Sequence, residues 1–415
     1  MMPAPVRYLI KSFTILPFLI SRQITKLIPR SEKKVCIGAW FGNLYSDNPK
    51  YFAEYLLQNS DYELTWIGND SAKCQLSNNP RLHFARKGSF KAIISLLRAK
   101  FWICCIYCTH DLTPLPLDGG VVRINLWHGI PIKKLGKNSI WNKDNQSSRG
   151  LRPAIERAYC RIVSGGKDWF PISSADMVRV MEGGAPEKFS LSHALPFGTP
   201  RNDFLIKNDA NLQFKFDLKK KYSRLIGFDP MKKIVLYLPT FRKDVKKTFC
   251  FYDCDASQQS IIANVLDKHN AVLIEKHHFH TYEEKKIPED ATCSIPISAV
   301  CLPSVDVQEL LLIADVLICD YSSAYLDFSL LKRPIIHYVY DYGEYTRNDS
   351  DLAYDINEVG GGEVVQSFED LTSALSTSLG GGVFAPKSRL PKLVEYEKGT
   401  ACEQLLAFMG KSARR

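Results

Sequence analysis

The feature that most constrains the fold is an alternation of apolar, strand-like runs with amphipathic helical stretches, which occurs twice along the chain. The first series begins at Lys34 and reads KVCIGAWFG, NPKYFAEYLLQ, YELTWIG, SFKAIISLLRAK and FWICCIYC. The second follows FGTPRNDF, residues 197–204, and reads KIVLYLP, QQSIIANVLDKH, AVLIEKH, VQELLLIA, DVLICD, SSAYLDFSLLK and PIIHYV. Such alternation is typical of parallel βαβ units. The sequence therefore predicts an α/β fold with two Rossmann-like, doubly wound domains that face a cleft.

Length and charge fit this plan. A chain of 415 residues with 45% apolar and 24% charged residues is globular and too long for one ordinary core. We expect a leader at residues 1–34, an N-terminal domain at 35–205 and a C-terminal domain at 206–415, which ends in a helix from Leu393. The net charge of +10 favours anionic partners of several kinds. Nucleic acid ranks last among them, because the aromatic residues lie in core runs and not within a basic patch.

The twelve cysteines are scattered through apolar runs, which indicates a reducing cytoplasm and no disulfide framework. The run FWICCIYC, Phe101 to Cys108, reads as a buried strand. A metal site at Cys104, Cys105 and Cys108 would need a second pair of ligands at a suitable spacing, and the sequence has none. We therefore predict no structural zinc.

The first 34 residues form a basic, amphipathic segment around FTILPFLI, in which Glu32 is the lone acid among the cations Arg7, Lys11, Arg22, Lys26, Arg30, Lys33 and Lys34. The apolar run is shorter than the roughly 20 residues that span a bilayer, and Pro17 interrupts it. A signal peptide is disfavoured because no small-residue cleavage site follows. The composition favours a helix on an anionic membrane surface. A helix docked on the protein's own surface remains an alternative.

Residues capable of chemistry follow the predicted strands directly. His128 follows VVRINLW, Thr240 and Arg242 follow IVLYLP, His277 follows AVLIEK, and Asp320 follows ADVLIC. Ligands of parallel sheets bind beyond the carboxyl ends of the strands. The four placements together predict one shared site.

The stretch DYSSAYLDFSLLKRP places an acid and two serines between a strand and a helix. Ser322 or Ser323 would cap that helix, and Asp327 lies within its first turns. A capped helix start can hold a phosphate or diphosphate through amides and hydroxyls. The alternative is that the serines only cap.

Two histidine motifs are open to more than one interpretation. In LIEKHHFH, His278 and His280 share one face of an extended strand and His277 lies on the other, so a metal could bind only two of the three. A single imidazole on a phosphate is the better use of His277, with a surface cluster as the alternative. In NLWHGIPIKKLG, Gly129 would let a substrate approach the backbone of His128, and Lys133 and Lys134 add positive charge. A buried tryptophan–histidine pair would explain that motif almost as well.

Five segments of the sequence, in their order along the chain, resemble the CDP-glycerol glycerophosphotransferase family. They are LWHGIPIKKLG, FGTPRND, LYLPTFR, KHH and ADVLICDYSSAYLDFSLLKRPIIHYVYDYGEY. These enzymes prime and polymerise teichoic acids and related capsule polymers. The likeness spans about Val35 to Tyr345. It implies a two-domain fold of the glycosyltransferase-B type, with an N-terminal acceptor domain, a C-terminal domain that holds CDP-glycerol, and a basic leader at the membrane.

The resemblance also implies roles for single residues. The family's two functional histidines correspond to His128 and His277, and its phosphate-binding serines and acid correspond to Ser322, Ser323 and Asp327. The further candidates for substrate binding are Gly129, Lys133, Arg201, Thr240, Arg242 and Asp320. This sequence departs from the family pattern in two places, with Ile130 where threonine is usual and no arginine–glycine pair at 351–354.

The implied reaction is the attack of an acceptor hydroxyl on the β-phosphorus of CDP-glycerol, with loss of CMP, for which His128 is the expected general base. The expected partners are CDP-glycerol or a related CDP-polyol, a lipid-linked saccharide or polyol-phosphate acceptor, and the cytoplasmic face of an anionic membrane. No cofactor or obligatory ion is expected. A CDP-ribitol or nucleotide-sugar transferase and a non-catalytic polymer-binding protein remain alternatives, and the oligomeric state stays open.

Overall fold

The computed structural model describes residues 4–76, 78–139, 162, 167–240, 242, 244–277, 297–299, 305–349 and 351–413. The chain divides into two compact units. Unit 1 comprises Met1–His128, Leu135–Asp203 and Tyr396–Arg415, and unit 2 comprises Gly129–Lys134 and Phe204–Glu395. The predicted boundary after residue 205 lies close to the start of the long segment of unit 2. The last twenty residues group with unit 1, whereas the predicted C-terminal domain included them.

Unit 1 contains a five-stranded parallel sheet in the order β3-β2-β1-β4-β5. Its strands are β1 Ser31–Ile37, β2 Glu63–Gly68, β3 Leu82–Arg86, β4 Ala99–Cys104 and β5 Val122–Asn125. A separate pair of short parallel strands is formed by β6 Phe170–Pro171 and β7 Ala194–Leu195. Buried residues are concentrated in the second halves of β1, β2 and β4, as expected for a parallel sheet with helices on its faces.

The helices of unit 1, numbered over the described residues, begin with α1 Ala4–Lys26, α2 Asp47–Asn59, α3 Asp70–Lys73, α4 Phe90–Arg98 and α5 Cys108–Asp111. They continue with α6 Ala175–Gly184, α7 Pro200–Asn208, which crosses into unit 2 at Phe204, and the last helix of the chain, α16 Ala401–Ala413. Ser89 caps α4 by accepting a hydrogen bond from the Ala92 amide, and Ser174 does the same for α6. Helix α16 packs on α2, and Leu405 and Met409 are fully buried in the core there.

Unit 2 contains a six-stranded parallel sheet in the order β10-β9-β8-β11-β12-β13. The strands are β8 Lys233–Leu238, β9 Ala271–Glu275, β10 Ile297–Ala299, β11 Val316–Cys319, β12 Ile335–Tyr338 and β13 Glu363–Val365. Because β9, β8 and β11 are neighbours, the residues that follow these three strands emerge at one edge of the sheet.

The remaining helices are α8 Leu212–Ile226, α9 Ala256–Lys268, α10 Val307–Ile313, α11 Ala324–Ser329, α12 Tyr342–Asn348, α13 Ile356–Val359, α14 Phe368–Leu379 and α15 Leu390–Leu393. Asp255 and Gln258 form a capping box at the start of α9. Gly227, at φ +85°, ends α8 in the left-handed conformation that favours glycine.

Three predicted segments differ from the structure. The strand predicted over Phe101–Cys108 ends at Cys104, because the Asp111 carboxylate accepts the amides of Cys105 and Ile106 and turns the chain. The final helix begins at Ala401 and not at Leu393. Residues 31–34, predicted as part of the leader, belong to β1. The nine described cysteines are all free thiols.

The leader contains α1, a helix of 23 residues with Pro17 inside it. Within the described residues, no helix is long and apolar enough to cross a membrane. The side chains described from residue 15 onward include exposed apolar groups at Leu16, Leu19, Ile20 and Ile24. Near its end the helix is tied to unit 1, where the Arg22 guanidinium contacts Asp118 at 2.6 Å. The side chains of Arg7 and Lys11 lie outside the described part.

Candidate functional site

Each predicted strand-end residue lies just beyond the carboxyl end of its strand. His128 follows β5 by three residues, Thr240 follows β8 by two, His277 follows β9 by two, and Asp320 follows β11 directly. Thr240, His277 and Asp320 therefore emerge from three neighbouring strands of unit 2. His128 belongs to unit 1, at the corresponding edge of its own sheet.

His128 is partly exposed, and its ring orientation is fixed by its neighbours. Its Nδ1 lies 3.1 Å from the carbonyl oxygen of Cys105, which can only accept a hydrogen bond. The bond therefore places a proton on Nδ1 and leaves Nε2 as the basic nitrogen. The indoles of Trp127 and Trp40 lie 4.4 Å and 5.3 Å from the imidazole between ring centroids. Among the described residues, none hydrogen-bonds Nε2.

The charges around His128 act on its pKa in both directions. Burial lowers the pKa of His128, while the carboxylates of Asp47 and Asp111 raise it and the guanidinium of Arg201 lowers it. The neutral imidazole is thus favoured near pH 7, as a general base requires. Gly129, the next residue, has φ +143°, a backbone conformation that favours glycine.

Arg201, a predicted substrate ligand, is buried and bound within the protein. Its Nη1 donates to Asp47 Oδ1 and to the carbonyl oxygen of His128, each at 2.9 Å. Its backbone amide donates to Asn48 Oδ1 at 2.9 Å. In this geometry Arg201 supports the histidine, and its predicted contact with substrate stays a prediction.

Arg242 is the centre of a buried charge network in unit 2. Its side chain is 1% exposed and donates to Asp320 Oδ2 at 2.8 Å, to Asp341 Oδ2 at 2.8 Å and to the Thr240 carbonyl at 2.7 Å. Burial opposes its charge, but Asp320 and Asp341 together raise the pKa of Arg242 above its ordinary value. These bonds engage the guanidinium within the protein and organise its neighbours, and the predicted contact of Arg242 with substrate stays a prediction.

Asp320 is fully buried and holds the strand ends together. Its Oδ1 accepts the backbone amides of Thr240 at 2.9 Å and of Tyr321 at 2.6 Å. The Thr240 hydroxyl is itself buried, and no described residue hydrogen-bonds it. Asp320 therefore fixes the backbone that presents this hydroxyl.

An aromatic layer surrounds the Arg242 network. The rings of Tyr321 and Tyr345 stack at 4.1 Å, and the guanidinium carbon of Arg242 lies 4.5 Å from the centroid of Tyr345. The Lys133 ammonium lies 5.5 Å from the same Tyr345 ring. Burial lowers the pKa of Lys133 to about 8, although Asp320 raises it. Lys134, its neighbour, pairs instead with Asp351 at 3.7 Å.

The serines of the DYSS motif are partly exposed and precede the six-residue helix α11. Ser322 Oγ accepts the Ala324 amide at 3.3 Å, so it supplies the cap, while Ser323 occupies the N-cap position without a side-chain bond. Asp327 is buried and its Oδ2 accepts a hydrogen bond from Gln308 Nε2 at 3.2 Å. This contact ties α11 to α10, and the predicted role of Asp327 in substrate binding stays a prediction.

His277 is buried, and its Nε2 is hydrogen-bonded to Glu275 Oε1. The other oxygen of Glu275 accepts the Phe251 amide at 3.1 Å. Cys250 completes a buried cluster in which one ligand atom from each of Cys250, Glu275 and His277 lies within 4.8 Å of the others. Such a set could hold a soft divalent ion, but the bonds of Glu275 are already satisfied within the protein. His278 and His280 lie outside the described residues.

Sequence reasoning missed the supporting residues of both histidines. Asp47, Asn48 and Asp111 brace His128, and Glu275 accepts a hydrogen bond from His277. Glu275, the last residue of β9, stands two residues before His277, and this short spacing was a readable signal. The braces of His128 come from distant parts of the chain.

Comparison with known proteins gives matches to one family and to enzymes of teichoic acid synthesis. Residues 22–408 match the model of the family described as CDP-Glycerol:Poly(glycerophosphate) glycerophosphotransferase. The chain is 28% identical over 363 residues to the teichoic acid poly(glycerol phosphate) polymerase of Bacillus spizizenii, with 85% of each chain covered. It is 26% identical to the teichoic acid glycerol-phosphate transferase of Staphylococcus aureus, covering 84% of this chain and 85% of that one.

The fold is similar to that of a solved structure, the wall teichoic acid polymerase TagF. The TM-score is 0.74 at 20% sequence identity, and the match covers 99% of this chain and 98% of that chain. The predicted α/β fold with parallel sheets is therefore confirmed.

Proposed function

The chain belongs to the CDP-glycerol:poly(glycerophosphate) glycerophosphotransferase family, and from this premise we propose that it transfers glycerol phosphate from CDP-glycerol to a hydroxyl group of a membrane-linked teichoic acid acceptor. The observation that carries this function is the family match, which extends over residues 22–408 and so includes both histidine motifs and the DYSS motif. The enzyme is a glycerophosphotransferase, and CMP is the second product.

The reaction forms one bond and breaks one bond at the β-phosphorus. The acceptor oxygen bonds to this phosphorus, the bond to the oxygen that bridges the two phosphates breaks, and CMP leaves with the electron pair. His128 Nε2 takes the proton of the acceptor hydroxyl, a role supported by the bond that keeps the proton of the neutral ring on Nδ1. The bond to Cys105 thus fixes which nitrogen reacts.

Groups of unit 2 would hold the diphosphate. The buried hydroxyl of Thr240, the partly exposed hydroxyls of Ser322 and Ser323, and the ammonium of Lys133 are the donors we assign to its oxygens. His277 joins them as an imidazole whose orientation depends on Glu275. Arg242 and Asp320 take part by fixing the strand ends, and Asp327 by fixing α11.

The domain roles follow from the same assignment. Unit 1 would supply the base and the acceptor surface, and unit 2 the nucleotide donor site, in a two-domain arrangement of the glycosyltransferase-B type. A donor site in unit 2 is supported by Thr240, His277 and Asp320, which follow three adjacent parallel strands.

Helix α1 would place the enzyme at the cytoplasmic face of the membrane. The exposed apolar residues Leu16, Leu19, Ile20 and Ile24 recur at helical spacing, and the segment is rich in cations. Co-sedimentation with vesicles rich in anionic lipid tests this assignment. Substitution of both Leu16 and Ile20 by Ser should abolish vesicle binding. Unchanged binding of this variant would contradict the membrane assignment.

Release of CMP tests the proposed activity. Purified protein is given CDP-glycerol, CDP-ribitol or a UDP-sugar, each with and without a lipid-linked polyol-phosphate acceptor. We expect CMP only from CDP-glycerol with acceptor. His128→Ala should lower turnover by about 100- to 10,000-fold, whereas His83→Ala, an exposed histidine on β3, should not.

Each of the other outcomes would contradict one part of the proposal. Turnover of CDP-ribitol or a UDP-sugar alone would overturn the donor assignment and leave the family fold. Binding of anionic polymer without release of any nucleotide would indicate a non-catalytic protein. Full activity in His128→Ala would exclude His128 as the base.

A further inference from the structure

The backbone around His128 adopts an unusual number of left-handed conformations. Trp127 has φ +54°, and in the facing segment Trp40, Phe41 and Asp47 have φ +48°, +59° and +63°. Each such conformation costs a non-glycine residue on the order of 1 kcal/mol or more. Residues remain in these conformations only where surrounding contacts hold them, so the contacts of this loop indicate what the fold maintains.

Asn48, which is fully buried, fixes the loop that carries the imidazole. Its Nδ2 donates to the carbonyl oxygens of Leu126 at 3.2 Å and Trp127 at 3.0 Å. Its Oδ1 accepts the backbone amide of Arg201 at 2.9 Å. One side chain thus connects the start of α2 to the two residues before His128.

Asp47 connects the same loop to the rings around the imidazole. Its Oδ1 accepts from Arg201 Nη1 at 2.9 Å, and that nitrogen also donates to the carbonyl oxygen of His128. Its Oδ2 accepts from Trp40 Nε1 at 3.2 Å, and the Trp40 ring lies against the imidazole. The carboxylate therefore holds both the backbone of His128 and one of the aromatic rings that contact its side chain.

We propose that Asp47 is a positioning residue for the His128 base, and that through Arg201 and Trp40 it holds the imidazole with Nε2 directed to the acceptor. This inference rests on the proposed function for the identity of the reaction. It goes beyond it in assigning a role to Asp47, which does not contact the reacting atoms.

The charges around the imidazole predict the direction in which each substitution should shift the pKa of His128. Three charged groups act on His128: Asp47 and Asp111 raise its pKa, and Arg201 lowers it, against the lowering caused by burial. Removal of the Asp47 charge should therefore lower the pKa of His128. Removal of the Arg201 charge should raise it. A purely structural role for the two residues would not produce shifts of opposite sign.

Asp47→Asn is the sharpest variant. Asparagine tolerates the left-handed backbone at φ +63° and keeps an oxygen for Arg201, so the change removes the charge and the acceptor for Trp40 Nε1 with little change in shape. Asp61→Asn is the matched control, since Asp61 forms an exposed ion pair with Lys33 on the same unit. Thermal unfolding of both variants checks that they fold.

The kinetic experiment measures kcat and KM for CDP-glycerol across pH. For Asp47→Asn we expect kcat to fall by about 10- to 100-fold, the range found for residues that orient metal-bound histidines. KM should change less than about threefold, and the acid limb of the kcat/KM profile should move to lower pH. Arg201→Gln should move that limb to higher pH. An unchanged profile and kcat in Asp47→Asn would overturn the proposal.

A second measurement separates this inference from the proposed function. An NMR titration of the His128 imidazole, assigned with His128→Gln, reports its pKa without any substrate. We expect a lower pKa in Asp47→Asn, a higher one in Arg201→Gln and no change in Asp61→Asn. If these shifts occur although CDP-glycerol is inert, the positioning role stands and the donor assignment fails. If Asp47→Asn does not fold, an unchanged pKa in Arg201→Gln would still overturn the proposal.

Discussion

At the scale of single residues, Lys133 is a side chain whose charge should change close to neutral pH. Burial lowers its pKa to about 8, so the ammonium is present below that pH and is lost as the pH rises through it. If Lys133 binds the diphosphate, the affinity for CDP-glycerol should fall by about tenfold between about pH 7 and about pH 9. Calorimetric titration over this range measures the effect.

Lys133→Arg and Lys134→Arg form the matched pair for this prediction. A guanidinium keeps its charge throughout this range, so Lys133→Arg should remove the fall in affinity. Lys134→Arg should retain it, because the Lys134 ammonium is paired with Asp351. A wild-type affinity that stays constant to pH 9 would exclude Lys133 as a diphosphate ligand.

Single residues also show which parts of the candidate site can be predicted from the sequence and which cannot. The chemical residues were identifiable, because a histidine or threonine directly after an apolar run stands at the carboxyl end of a strand. Except for Glu275, which stands two residues before His277, the partners of these residues were not identifiable. Arg242 looks like a phosphate ligand in sequence, and only the fold brings Asp320 and Asp341, 78 and 99 residues away, to its guanidinium.

At the scale of elements, strand β12 contains a histidine with a structural role, His337. His337 is fully buried, its Nε2 accepts the Gly361 amide at 2.9 Å, and the Tyr325 ring lies edge-on at 4.7 Å. Close approach requires glycine here, since a Cβ at Gly362 would lie 1.9 Å from the Ile335 carbonyl oxygen. Burial lowers the pKa of His337 to about 4, so the folded state holds it neutral.

This burial predicts a loss of stability in mild acid. Between about pH 6.5 and about pH 4 the unfolded chain binds a proton at His337 that the folded chain does not, so the free energy of unfolding falls as the pH falls. The full contribution is about 3 kcal/mol. Urea unfolding at a series of pH values should show this slope reduced in His337→Gln. The slope should be retained in His83→Gln. Equal slopes in the wild type and in both variants would contradict the prediction.

The bounds of the helices and strands show how far a sequence pattern can predict where an element begins and ends. Helix α2 and strands β2 and β8 matched their periodic patterns to within two residues. The last helix was placed eight residues too early, because the Asp203 carboxylate accepts the amides of Ala401 and Cys402 and so determines where α16 begins. A cap that lies 198 residues away in sequence leaves no local signal.

At the scale of the whole molecule, the chain completes unit 1 only with its last residues. Glu397 accepts hydrogen bonds from Thr199, through its amide at 3.0 Å and its hydroxyl at 3.1 Å, and from the Ser173 hydroxyl. Leu405 and Met409 are fully buried in the core that contains β1 and α2. The core around β1 and α2 is therefore complete only after unit 2, which lies between the segments of unit 1 in sequence, has been synthesised.

Deletion of Tyr396–Arg415 should consequently unfold the part of the protein that lies farthest from it in sequence. Loss of two buried side chains of this size costs about 4–10 kcal/mol, comparable to the whole stability of a typical domain. Hydrogen exchange followed by mass spectrometry should show protection lost in β1 and α2 and kept in β8 and β11. Deletion of residues 411–415 alone, beyond Met409, should leave both regions protected. Protection of α2 in the longer deletion would mean that α16 only covers a core that is stable without it.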